Sequence, residues 1–315
     1  MFNFSNQKMN KVKKEFSIRD LENLSGIKAH TIRIWEKRYN LLAPERTSTN
    51  IRTYSVDSLQ RLLNITLLYN AGNKISKIAK LPQKEVQQMV RELAESKNKN
   101  NHAIANLKLA MIKFDEVAFH TTYTQLADKL SFREIWHEIL LPFLDEIGLL
   151  WQTDLICPSQ EHFISHLIKE LIFTNTKSVK DQVKENNEKT FVLYLPENEI
   201  HELGLLYLNY EMTLMGLKTI YLGQATPLEA MEDIIQYFNK IVFISYFTVS
   251  PSPDKINEYI NNFQHLINSE NKHELWILGQ QVRHMDSNNI PTGVKTFNTI
   301  KATIDALPAI VNKNK

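Results

Sequence analysis

Hydrophobic positions along the chain change their period twice. From residue 16 to 95 short amphipathic helices alternate with turn chemistry. Ser17-Ile18-Arg19-Asp20 resembles a capping box opening a helix through Leu24, Ser25-Gly26 supplies a tight turn, and a second helix runs to Tyr39. Ile32 and Trp35 are expected to face a small core, which leaves Arg33, Lys37 and Arg38 together on the outer face. Two helices joined by a Gly-containing turn make a helix-turn-helix pattern. The run LLAPERTSTNIRTYS then predicts a β-hairpin wing, with Arg46 and Arg52 on its arms and Tyr54 at its exit. Between residues 101 and 176 the period is helical throughout. Ile135, Ile139, Phe143, Ile147 and Leu150 recur three or four apart, and a further helix starts near Pro158. From Thr190 short apolar runs alternate with helical patterns. FVLYL (191–195), KTIYL (218–222), IVFIS (241–245) and ELWIL (274–278) read as strands, with LGLLYLNYEMTLMG and PLEAMEDIIQYFNK as helices between them. That rhythm predicts right-handed βαβ crossovers and a parallel sheet covered on both faces.

The polar stretches SKNKNN near residue 96 and Lys177–Lys189 divide the chain into three expected domains, 1–95, 101–180 and 188–315. The net charge of +2 conceals a strong asymmetry. Residues 1–100 hold 19 Lys and Arg against 9 Asp and Glu, and the remaining 215 hold 18 against 26. A basic front on an acidic body fits a polyanion-binding module attached to a different unit. The single cysteine, Cys157, excludes an internal disulfide framework or a multi-thiolate metal site and fits a reducing, cytoplasmic compartment. The N-terminal run has no apolar segment followed by a cleavage site, and no long uncharged apolar stretch predicts a membrane span.

The residues SIRDLENLSGIKAHTIRIWEKRYNLLAPERTSTNIRTYSVDSLQRL resemble the MerR-type winged helix-turn-helix through Thr31-Ile32-Arg33, Leu41-Leu42, Pro44, Arg46, Arg52 and Tyr54. The resemblance implies double-stranded promoter DNA as the partner, read by paired subunits. Arg33, Lys37, Arg38, Arg46, Arg52 and Tyr54 are then the DNA-contacting candidates. Guanidinium groups bridge phosphate oxygens bidentately, which fixes register without reading bases.

After the first predicted strand the chain reads Glu199-Ile200-His201-Glu202-Leu203-Gly204. Ligands of parallel α/β sheets bind outside the carboxyl ends of strands, where this loop should lie. An imidazole can bind a metal through one ring nitrogen while a carboxylate orients the other, so Glu199 and His201 are candidates for such a relay. Residues 190–315 resemble the Rossmann-like cobalamin-binding domain of methionine synthase and mutases, which carries an Asp/Glu-x-His-x-x-Gly loop, a Ser-x-Leu element and a Gly-Gly pair. Here Ser245-Tyr246-Phe247 and Gly279-Gln280 stand at the second and third elements, departing from the pattern at Phe247 and Gln280. Trp151, followed after nine residues by Glu161-His162, resembles the helical bundle of CarH-type light-dependent regulators.

These resemblances together imply a winged helix-turn-helix, a four-helix bundle and a flavodoxin-like α/β domain, forming a transcriptional repressor rather than an enzyme. They imply cobalamin as cofactor, with the adenosyl form favoured over the methyl form. His201 would be the cobalt ligand, oriented by Glu199. Gly204, Ser245 and Gly279 would line the groove for the nucleotide tail, and Trp151, Glu161 and His162 would enclose the upper ligand. They also imply a ligand-dependent homo-oligomer, dimer or tetramer, released by light-driven cleavage of the cobalt–carbon bond. Two alternatives stand beside this reading: a MerR-type regulator whose sensor domain works without cobalamin, and a corrinoid methyl carrier.

Overall fold

The computed structural model describes residues 15–46, 50–96, 99–152, 156–180, 189–285 and 290–307. The chain divides into two compact units, one up to Leu167 and the other from Ile168 onward.

The first unit opens with β1 (Glu15–Phe16) and α1 (Ile18–Ser25). The expected capping box is present: Asp20 N donates to Ser17 Oγ at 3.2 Å, and Ser17 N donates to Asp20 Oδ2 at 2.7 Å. Gly26 closes α1 at φ 74°, a left-handed conformation that a Cβ would strain. Helix α2 (Ala29–Tyr39) takes its N-terminal cap from across the turn, where Glu22 of α1 accepts from Ala29 N at 3.1 Å. Leu21, Leu24, Ile32 and Trp35 are buried, so the apolar faces read from spacing are the ones that pack. Strands β2 (Glu45–Arg46) and β3 (Arg52–Ser55) pair antiparallel, and β1 adds to the other edge of β3. A region expected to be helical apart from one hairpin therefore contains a three-stranded sheet.

Helices α3 (Val56–Asn70), α4 (Ile75–Ile78), α5 (Gln83–Ser96), α6 (Lys99–Lys113) and α7 (Glu116–Ala127) follow. Arg61 of α3 binds them to the hairpin approach. Its guanidinium donates to the carbonyls of Leu41, Ala79 and Leu81 and to Gln83 Oε1 at 3.0–3.2 Å. Helix α8 (Phe132–Ile135) continues through a π-helical turn (Trp136–Leu140) into α9 (Leu141–Gln152). Pro142 lacks an N–H, and its ring would crowd the carbonyl four residues back, so the wider turn before it absorbs the mismatch. Ile135, Ile139, Phe143, Ile147 and Leu150 are all buried, as their spacing predicts. Gln160 anchors the start of α10 (Pro158–Ser178), donating to Ile112 O and accepting from Cys157 N, both at 3.1 Å. No helix among the described residues is long and apolar enough to cross a membrane.

The second unit contains β4 (Thr190–Tyr194), α11 (Leu203–Leu214), β5 (Thr219–Gly223), α12 (Met231–Ile235), β6 (Ile241–Tyr246), α13 (Ile256–Leu266), β7 (Glu274–Leu278), β8 (Val294–Phe297) and α14 (Ile300–Ala306). The five strands are parallel in the order β5-β4-β6-β7-β8. This is the flavodoxin-like order, with its topological switch beside the first strand. All four strands expected from sequence are present within one residue at each end. Strand β8 was not expected; only Val294 of its four residues is buried, too little for a periodic signal. The segment PLEAMEDIIQYFNK holds a single 3-10 turn and the five-residue α12 rather than one long helix. Both faces of the sheet are covered. Val192, Tyr194, Phe243, Phe247, Leu275 and Ile277 pack on one side, and Phe191, Leu193, Val242, Ile244, Trp276 and Leu278 on the other.

Candidate functional site

In the first unit, α2 buries Ile32 and Trp35 and exposes Arg33, Lys37 and Arg38. Arg38 lies over the Tyr39 ring, 5.6 Å from its centroid, which restrains a long side chain at the end of the helix. Arg46 is exposed on the hairpin and donates to Asn50 Oδ1 at 2.6 Å. Arg52 and Tyr54 differ from expectation. Glu36 of α2 accepts from Arg52 Nε at 3.0 Å and from Tyr54 OH at 2.9 Å. Tyr54 is 1% exposed, and burial followed by its bond to Glu36 pushes its hydroxyl pKa well up. Tyr54 is thus corrected from a surface contact to a clamp holding the hairpin on α2. Its ring completes the small core, and its hydroxyl is engaged by a carboxylate. Arg52 shares that clamp while remaining partly accessible.

In the second unit, Glu199 and His201 come together at the carboxyl end of β4. His201 Nδ1 lies 2.6 Å from Glu199 Oε1, which also accepts the backbone N–H groups of Ile200 and His201 at 3.0 Å. Glu199 Oε2 accepts from Thr248, Val249 and Ser250 N at 2.9, 2.6 and 3.0 Å. Burial of this carboxylate raises its pKa, but the bonds from His201 and from the Val249, Ser250 and His201 backbone outweigh burial and hold it at about 2. Glu199 is 0% exposed, whereas the His201 side chain is 49% exposed. A permanently ionised acceptor fixes Nδ1 as the protonated nitrogen, so metal ligation falls to Nε2. One imidazole supplies one coordination bond. The arrangement therefore suits a metal whose other positions are already filled, as in a macrocycle; among the described residues no group of three or more His, Cys, Asp or Glu could hold a bare ion.

Around this loop the three small residues expected to line a groove are all present. A Cβ on Gly204 would lie 2.9 Å from Cε2 of Tyr246, so the Tyr246 ring takes that space. Gly279, at φ 103°, brings the end of β7 against the backbone of Phe247, where a Cβ would meet the carbonyl oxygen at 2.3 Å. Ser245 is 0% exposed and its Oγ has no hydrogen-bond partner; Thr248 Oγ1 and Gln281 Oε1 are likewise buried and unpaired. Three orphaned oxygens at the ends of β6 and β7 call for a polar guest or water. Phe247, one of the two departures from the family pattern, lies in the core with its ring 5.3 Å from that of Tyr259, and the other, Gln280, is exposed. The His–carboxylate donor set and the unpaired oxygens fit a metal-bearing cofactor with a polar tail, while the space beside Gly204 would have to be opened by a movement of Tyr246.

Residues 16–85 match the family described as MerR HTH family regulatory protein, and residues 103–173 match that described as B12 binding domain. The HTH-type transcriptional repressor CarH of Myxococcus xanthus is 26% identical over 212 residues, covering 65% of this chain and 70% of the relative. The repressor CarA of the same organism is 26% identical over 234 residues, covering 73% and 75%. The chain is thus similar to MerR-type repressors of the CarH kind over about two thirds of its length. A monomethylamine corrinoid protein of Methanosarcina barkeri shares the fold over 67% of this chain and 99% of its own, with a TM-score of 0.55 at 12% identity.

Glu161 and His162 occupy the first turn of α10. Glu161 Oε2 lies 2.6 Å from His162 Nδ1, and Oε1 accepts from Ser165 Oγ at 2.7 Å. His162 is exposed, so the pair can present an oriented imidazole to a ligand. Trp151 falls in the last turn of α9, and its side chain lies outside the described residues. Sequence reading missed Glu36, Arg61 and the 248–250 backbone. Glu36 is one of several charged residues on α2, the partners of Arg61 lie some 20 residues away in sequence, and backbone N–H donors carry no residue-type signal.

Proposed function

We propose that this chain is a transcriptional repressor that reads double-stranded promoter DNA through α2 and the β2–β3 wing and is gated by cobalamin. The observation that carries the gating is the buried Glu199 carboxylate fixing His201 Nδ1 at 2.6 Å where the β4 strand ends. The chain is a regulator rather than an enzyme, in keeping with relatives named as transcriptional repressors. Three working parts are read on it: a reader over 1–95, a four-helix bundle over 101–180 and the α/β domain over 188–315.

His201 Nε2 would ligate cobalt, with Glu199 keeping the imidazole in the required tautomer. Ser245 and the backbone at Gly279 would hold the nucleotide tail, and Trp151, Glu161 and His162 would meet the upper ligand. Adenosylcobalamin, when bound, supplies a light-sensitive cobalt–carbon bond. The chain's own part is to bind one form more tightly than the other and so shift its population between two arrangements. We read the favoured arrangement as a homo-oligomer, in which paired readers gain affinity through effective concentration.

A second reading keeps the DNA reader and drops the cofactor; the Tyr246 ring beside Gly204 favours it. One experiment separates them. The full chain is mixed with adenosylcobalamin in darkness, desalted, and its absorbance recorded beside His201→Ala. Retained cofactor with a histidine-ligated spectrum, altered or lost in the variant, is expected. A desalted protein without cofactor at micromolar concentration supports the cobalamin-independent reading. With cofactor retained, unchanged oligomer size in darkness and after green light would remove light from the proposal.

A further inference from the structure

The exposed face of α2 carries one residue whose chemistry phosphate binding does not explain. Ile34 is 52% exposed, although Ile32 and Trp35 on the same helix are buried. Its neighbours at helical spacing are His30, four residues before, and Lys37 and Arg38, three and four after; all three are exposed. Ile34 therefore stands in the middle of the outward surface, opposite the buried stripe. Glu36, the one carboxylate of α2, is engaged elsewhere by Arg52 and Tyr54. The outward face is thus basic, free of acid and apolar at its centre.

A single exposed aliphatic side chain is ordinary on a protein surface. The position of this one limits its partner. Cations on either side select a polyanion, and the second helix of a helix-turn-helix fits the major groove of B-form DNA, about 12 Å wide. Base edges in that groove present hydrogen-bond donors and acceptors, with one exception: the C5-methyl group of thymine is apolar. An isoleucine side chain at the crest of the helix can cover that methyl group, and it has no hydrogen bond to offer any other base feature.

We propose that Ile34 is a specificity-determining residue that reads a thymine through its methyl group, with Lys37 and Arg38 on phosphates beside it. The inference rests on the reading of α2 as the DNA-contacting helix, and it adds which base that helix selects. Discrimination arises because the methyl group and the isoleucine leave water together, a gain that no other base edge in the groove returns.

The test uses a duplex selected from random sequences by the full chain. Each thymine in turn is replaced by deoxyuridine, which deletes the methyl group and leaves pairing and charge intact. At one position or more, wild type is expected to lose about fourfold in affinity, the worth of one buried methyl group. In Ile34→Ala that penalty disappears, while affinity for an unselected duplex is unchanged. Val117→Ala, which trims a still more exposed aliphatic side chain on α7, keeps the penalty. A wild type insensitive at every thymine, or an equal penalty in Ile34→Ala, would overturn the proposal and leave DNA binding by α2 standing. So would a smaller oligomer of Ile34→Ala in sedimentation with the penalty retained, which would assign the face to a second copy of the chain. Failure to select any duplex would overturn the reading of α2 itself, and this inference with it.

Discussion

Glu199 joins two loops through one side chain. Its two oxygens accept five backbone N–H groups besides facing His201. An unfolded glutamate titrates near 4.5, whereas this one stays ionised down to about 2. A depressed folded-state pKa gives stability that is complete above about pH 4.5 and is lost as pH falls toward 2. Glu199→Gln replaces one acceptor by an NH₂ aimed at N–H donors and should cost about 2 kcal/mol at neutral pH. Unfolding of wild type and variant, followed by circular dichroism, should therefore converge as pH drops from 5 to 3. A gap of constant size across that range would show that the carboxylate's charge is not what holds the loops. Gly279 invites a harsher test. At φ 103°, with the Phe247 carbonyl 2.3 Å from where a Cβ would sit, Gly279→Ala should lower stability by about 3 kcal/mol. A melting temperature within a degree of wild type would mean the β6 and β7 ends can part at little cost.

At the scale of elements, the hairpin and α2 form one unit because Glu36 couples them. Arg52 Nε and Tyr54 OH both end on its carboxylate. Glu36→Ala leaves a buried hydroxyl and a guanidinium without their acceptor, a loss of about 1–2 kcal/mol. Hydrogen exchange at the β3 amides should speed up about tenfold while α1 and α10 are unaffected. Equal protection in both proteins would assign the hairpin's stability to the Tyr54 ring alone. Arg61 plays the matching part behind the reader, bonding three carbonyls and Gln83. Burial lowers its pKa, so the cost of desolvation is met by those acceptors. Arg61→Met keeps the stem and loses four bonds, and its thermal transition should fall by several degrees.

Across the whole molecule, charge is segregated: residues 1–100 are strongly basic and the rest acidic. Binding to phosphates through such a front releases counterions, so affinity should fall steeply with salt. Arg33→Ala and Lys37→Ala should each reduce the slope of log affinity against log salt by about one, measured by fluorescence anisotropy on a selected duplex. If Arg33 reads a base rather than a phosphate, the slope stays and discrimination between sequences declines. The acidic remainder would repel DNA, so in the proposed function phosphate contacts would be confined to the basic front.

Much of this was legible in the sequence because it depends on neighbours a few residues apart. The Ser17–Asp20 cap, the buried stripe Ile135–Leu150, the alternating strand cores and the Glu-x-His spacing are all local patterns, and local geometry fixes which face each side chain takes. Strand β8 and the interrupted α12 were not legible, since short edge elements have too few buried positions to show a period. Tertiary structure alone decided the rest. It placed Phe247 in the core, turned Tyr54 inward and set Tyr246 beside Gly204. In each case the outcome depends on residues distant in sequence. Whether a polar or aromatic group meets solvent, a partner or a void is settled only when separate elements pack together.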